Sequence, residues 1–286
     1  MRKVFLLFIT ALSVTFFTAC SSKSATASQK DEIVLPKGDV STYLIGEYMD
    51  VPTAKSALES VGFEIVATYK SFKKGETIVF TNSKLKEQAA KKSRGFAAIL
   101  RLLVDDERKQ ISITNPVYFG KAFMQDEYNH KVASDALMAL NKAFTNLKGS
   151  EDKWEFEGLA SYHFMMGMPY YEEQSILGKG SQEELIAKVD SYKKGKYVVF
   201  KLKLSENSTL YGYALGKRTS KFVKKIGTQN ATILPYCILI EDGEAKILNA
   251  KYYIAISYPQ LTMGDFMGIA TVPGAVEKDL KKPFKK

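Results

Sequence analysis

Residues 231–248, ATILPYCILIEDGEAKIL, read as a buried strand, an acidic turn and a second strand. Residues 97–113, AAILRLLVDDERKQISI, repeat that order. Both apolar runs have strand length, and Glu241-Asp242-Gly243 and Asp105-Asp106-Glu107 supply the turns. The two hairpins belong to a longer internal repeat. Ahead of them, Ser71-Phe72-Lys73-Lys74-Gly75 with Val79-Phe80 matches Ser191-Tyr192-Lys193-Lys194-Gly195 with Val198-Val199-Phe200. Behind them, Phe123-Met124 follows Pro116 at the spacing at which Phe266-Met267 follows Pro259. Three blocks in one order indicate a divergent tandem duplication.

Each copy mixes helix and strand. Pro52 at a helix start and Gly62 past its end bracket a short helix. Residues 63–69 and 77–81 read as strands joined at Lys73-Lys74-Gly75, 84–92 as a helix, and 96–104 with 110–114 as the first hairpin. Residues 131–147 set Leu137, Leu140, Phe144 and Leu147 at helical spacing. In the second copy, 219–226 reads as a short helix before Gly227, and 233–240 with 245–256 as the hairpin. The expected class is α+β: two related small α+β modules in tandem, a pseudo-dimer on one chain, spanning 39–150 and 151–286.

Residues 219–259 resemble the domain-of-unknown-function 302 family of small α+β domains. The resemblance rests on Leu234-Pro235, Cys237-Ile238-Leu239-Ile240, Glu241-Asp242-Gly243, Ala245-Lys246-Ile247 and Pro259. Gly62-Phe63-Glu64-Ile65 and Asn115-Pro116 carry it in the first copy, which places Arg101 where the second has Pro235. The second copy departs from the family's Leu-Pro-Cys by inserting Tyr236. The resemblance implies a dimer-forming fold and supplies no activity.

The chain begins with Arg2 and Lys3, an uncharged run over 4–17, and Phe17-Thr18-Ala19-Cys20. The run is too short for a permanent membrane span but suits a secretory signal. Its end resembles a bacterial lipobox. Residues 1–19 are thus expected to be a lipoprotein signal peptide, with Cys20 the lipidation site and 20–38 a flexible tether. The alternative is an ordinary signal with an incidental cysteine. Ser21, where an Asp would resemble an inner-membrane retention signal, favours the outer membrane over the inner. The expected location is the bacterial cell envelope, lipid-anchored and periplasm-facing.

The 286 residues carry 41 Lys and Arg against 31 Asp and Glu, a basic balance. The exported address and the lack of a nucleic-acid motif argue against nucleic acid as its partner. The basic end from Lys281 to Lys286 reads as a solvated tail or as a patch for anionic lipid headgroups. With Cys20 lipidated, Cys237 has no disulfide partner and reads as a small buried hydrophobe.

No catalytic set is visible. His130 and His163 stand apart, and no nucleophile elbow or complete phosphate loop exists. Ser181-Gln182-Glu183-Glu184 reads as a capping box, and Asp105-Asp106 and Glu172-Glu173 as solvated acids. Residues 162–171 gather His163, Met165, Met166, Met168 and several aromatic rings. Thioethers with imidazole suit copper(I), so His163, Met166 and Met168 are candidate ligands, against packing by adaptable methionines. No cofactor is expected. The expected function is non-enzymatic binding of a protein or small molecule at a membrane held through the lipid. The alternative is a periplasmic copper(I) or hydrophobic small-ligand carrier using 162–171.

Overall fold

The computed structural model describes residues 35–285; the expected signal, Cys20 and most of the tether lie outside them. In chain order the first half runs β1 (Asp39–Ser41), β2 (Tyr43–Glu47), α1 (Val51–Ser60), β3 (Glu64–Phe72), β4 (Gly75–Thr81), α2 (Ser83–Ala89), β5 (Leu100–Asp105), β6 (Gln110–Thr114), α3 (Pro116–Met124), α4 (His130–Ala143) and β7 (Lys148–Gly149). The second half runs β8 (Lys153–Glu155), β9 (Ser175–Lys179), α5 (Gln182–Ser191), β10 (Val198–Ser205), β11 (Ser208–Tyr213), β12 (Tyr236–Glu241), β13 (Glu244–Ile247), α6 (Ala250–Ser257), α7 (Met263–Gly268) and α8 (Val272–Leu280). The class is α+β.

Helix starts follow from short polar side chains that capture free backbone N–H groups. Asp50 accepts from Thr53 N at 2.9 Å to open α1, and Gly62, at φ +89°, lets the chain turn away after it. Ser181 accepts from Glu184 N at 3.1 Å to open α5, while the Glu184 carboxylate pairs with Lys188 at 2.7 Å. The expected helix 131–147 ends at Ala143; Phe144 and Leu140 are still buried against Ala54 and Leu58 of α1.

Two large antiparallel sheets result among the described residues, one ordered β3-β4-β5-β6-β2-β7 and the other β10-β11-β12-β13-β9, beside the two-stranded pair β1-β8. Apart from the edge strand β7, strand order is the same in both, although α2 lies between β4 and β5 where only 3-10 segments lie between β11 and β12. In each, a helix links the edge strand drawn from the start of the half to a three-strand meander, and a fourth strand returns beside that edge. Registers agree as well. Gly75 pairs with Asp105 and Asp105 with Gln110; Ser208 pairs with Glu241 and Glu241 with Glu244. Counting from these corners, Asn115 and Asn249 coincide, and both cap the following helix by accepting from Val117 N and Lys251 N at 3.0 Å.

That register corrects several sequence readings. Residues 245–256 are not one strand: β13 stops at Ile247, and the Asn249 cap turns the remaining apolar run into α6, buried almost throughout. The Ser71–Gly75 block lies at the β3–β4 turn, whereas Ser191–Gly195 lies between α5 and β10, so these blocks are not equivalent. Pro116 opens α3, but Pro259 follows α6. Only the middle block falls on corresponding elements, and there Cys237, not Pro235, shares its register position with Arg101. The expected helix over 219–226 is a 3-10 segment, Thr219–Lys224.

The described residues lie in one compact unit. One cluster fills the face of the first sheet beneath α1 and α4, with Leu58, Ile78, Phe80 and Leu102 fully covered. A larger cluster runs between the sheets and around the second one, with Val79, Leu103, Tyr118, Leu239 and Tyr252. Strands β1 and β8 pair with each other, joining residues just after the expected tether to those just after residue 150.

Candidate functional site

The junction between the sheets is built from crossed contacts. The 3-10 segment Gly95–Ala98, leading into β5, packs on β11 and β12; the segment Thr228–Ile233, preceding β12, packs on β5 and β6. Gly95 is needed for the first: a Cβ there would lie 2.4 Å from the Leu239 side chain. The helices after each hairpin repeat the exchange. Tyr118 Oη on α3 donates to Ile256 O on α6 at 2.8 Å, and Tyr252 Oη donates to Ala122 O at 3.4 Å. Tyr118 and Tyr252 share one register position, and Ala122 and Ile256 share another.

At the centre, a residue meets its own counterpart. Four residues before the Asp105 and Glu241 corners stand Arg101 and Cys237. Arg101 Nη2 donates to Cys237 Sγ at 3.1 Å and to Pro235 O at 3.0 Å. Arg101 is buried and, among the described residues, has no carboxylate within ion-pair distance; its Nε has no hydrogen-bond partner. The Tyr236 hydroxyl is also buried without a partner. Arg101, Tyr236 and Cys237 line one small cavity with Phe96, Phe123 and Tyr253. Burial pushes the Cys237 thiol up, against the pull of the Arg101 charge, and burial holds the Tyr236 phenol well above its ordinary range.

Two polar latches flank this centre. Glu241 and Lys246 form a buried ion pair at 2.8 Å, and both reach Ser93 of the first half: Ser93 N donates to Glu241 at 2.9 Å and Lys246 Nζ to Ser93 Oγ at 3.3 Å. Tyr171 Oη closes the group by donating to Ser93 O at 2.6 Å. On the opposite side Asp105 accepts from Glu107 N and Arg108 N at 2.9 and 3.0 Å, and Arg108 reaches Thr228 of the second half. Asp105 is thus a buried turn anchor, contrary to its reading as a solvated acid. Glu172 is engaged too, accepting from Arg94 at 2.8 Å.

The His and Met candidates lie elsewhere. Residues 162–174 form an irregular loop, with Gly167 at φ +81°. His163 packs on Tyr170 with ring centroids 4.4 Å apart. Met166 is 95% exposed while Met168 packs against the core, so the two thioethers stand in different surroundings. His130 bonds Tyr128 Oη at 3.0 Å. Among the described residues no group of three or more His, Cys, Asp or Glu is placed to hold a metal ion, and no helix is long and apolar enough to cross a membrane. The sequence did carry a sign of the central site: Arg101 interrupts an otherwise apolar strand, and a charge at such a position is buried at a cost unless something compensates it.

Comparison of the chain with protein-family models, with curated proteins and with solved structures finds no match in any of the three.

Proposed function

We propose that this chain is a lipid-anchored cell-envelope protein whose body is a single-chain pseudo-dimer, and that it acts by binding a ligand at the junction of its halves. The observation that carries the reading is the Arg101–Cys237 contact. In a two-fold interface a residue touches its own equivalent only on the axis, and off-axis contacts come in reciprocal pairs. The 3.1 Å contact meets the first condition, and the paired Tyr118 and Tyr252 hydrogen bonds meet the second. An axis formed by two identical chains would set Arg against Arg or Cys against Cys. Joining two modules in one chain lets a cation face a neutral acceptor, which makes the axis a site with two different walls. The resemblance to the domain-of-unknown-function 302 family belongs to the same reading, as the ancestry of the module.

The anchor rests on Phe17-Thr18-Ala19-Cys20. Cys20→Ala is expected to abolish lipid labelling and release the protein from membranes; persistent labelling of that variant would refute the anchor. Binding is tested by native mass spectrometry of protein extracted from its own membrane. A retained mass that Arg101→Met loses supports the junction as the site. A retained mass that the substitution leaves in place moves the site elsewhere.

A further inference from the structure

We propose that the cavity beside Arg101 binds a small monovalent inorganic anion of halide size; this rests on the reading of the junction as the ligand site. A guanidinium stays charged at every pH a folded protein meets. Burying one without a counter-charge is strongly unfavourable, so a buried Arg is normally paired. Arg101 is buried, yet its side-chain bonds go only to a carbonyl and a sulfur, both from Nη2. Its Nε–H lacks an acceptor, and so does the buried Tyr236 O–H. Both residues line the same cavity, whose other walls include Phe96, Phe123 and Leu248. Two donors and a positive charge in an apolar wall select an acceptor that is itself negative. Cys237 is a poor source of that charge, because burial favours its protonated form. Size narrows the class further. The cavity holds about 10 Å³, room for one water-sized particle. A single-atom halide is the smallest acceptor of that kind.

The test is thermal unfolding of the full chain in sodium chloride and sodium bromide, against sodium gluconate at matched ionic strength, together with anomalous diffraction from crystals in bromide. The unfolding midpoint should rise with halide concentration and stay flat in gluconate, since a ligand held only by the folded state stabilises it by mass action. Bromide should appear within hydrogen-bond distance of Arg101 Nε and Tyr236 Oη. Tyr236→Phe, which leaves the ring in place, should weaken halide affinity about tenfold by removing one hydrogen bond to a charged group. Arg101→Met should abolish the halide dependence. Equal midpoints in halide and gluconate would overturn the proposal, as would a water in place of bromide or an unchanged affinity in Tyr236→Phe. If the Cys237 thiolate balances Arg101, the wild-type protein will show no halide response. A flat response from a protein that scatters light as one chain defeats the anion alone and leaves the pseudo-dimer standing.

Discussion

Strands β5 and β12 occupy the same place in their sheets, and their differences show what each half contributes. Leu100, Leu102, Leu103 and Val104 stand where Tyr236, Ile238, Leu239 and Ile240 stand, all buried, and each strand ends in a buried acid. Packing is therefore alike. The divergence falls on polar positions that face the other half: Arg101 against Cys237, and one strand further on, Ser112 against Lys246. Burial is kept at the apolar positions even where size is not, as with Leu100 and Tyr236. At the junction the two halves differ in charge, with Arg101 set against Cys237 and Lys246 against Ser112.

The two terminal acids give the sharpest way to break this comparison. Glu241 depends on a partner side chain, Lys246, whereas Asp105 is held mainly by its own turn. Glu241→Ala strands a buried ammonium and should cost about 3–5 kcal/mol in urea unfolding. Asp105→Ala should cost less, about 1.5–3 kcal/mol, since it removes hydrogen bonds to a charged acceptor and leaves no buried cation behind. Equal losses would mean that the latches are interchangeable.

Alkali separates the halves through their buried phenols. Of the buried tyrosines, Tyr43 and Tyr118 lie in the first half and Tyr162, Tyr171, Tyr211, Tyr213, Tyr236, Tyr252, Tyr253 and Tyr258 in the second, and burial raises all ten. Above pH 10 the unfolded chain releases protons that the folded one retains, so stability is full below pH 10 and falls as pH rises. Tyr253, pushed up to about 12, loses its share as pH passes through that value. Hydrogen exchange should show α6 loosening before α3; the reverse order would contradict this distribution of tyrosines.

Smaller effects sharpen the comparison. Tyr118→Phe should cost about 1 kcal/mol and Tyr252→Phe less, because the first hydroxyl bonds at 2.8 Å and its counterpart at 3.4 Å. Met166→Ala, on a side chain 95% exposed, should change stability by no more than about 0.5 kcal/mol.

The α+β class, the helix bracketed by Pro52 and Gly62 and the strand over 110–114 were legible because local chemistry specifies them: a proline start and a glycine stop, and an acidic turn between apolar runs. The correspondence between halves was legible only in its middle block. The Lys-Lys-Gly triplets misled because they mark turns, which recur wherever a chain reverses. Lys193, Lys194 and Gly195 all have positive φ, while Lys73 and Lys74 do not, so the same letters carry different backbones. Residues 250–256 read as strand because a continuous apolar run fits a buried strand or a buried helix equally, and only the Asn249 cap decides. The site was least legible. Arg101, Cys237 and Tyr236 meet through strand pairing and sheet packing, and no spacing along one strand encodes a contact between two.

Light scattering on the purified full chain across a wide concentration range tests most directly whether the two halves pair within one molecule. The expected result is the mass of a single chain at every concentration. A stable two-chain mass that dissociates only on unfolding would contradict it, since each half would then find its counterpart in another molecule.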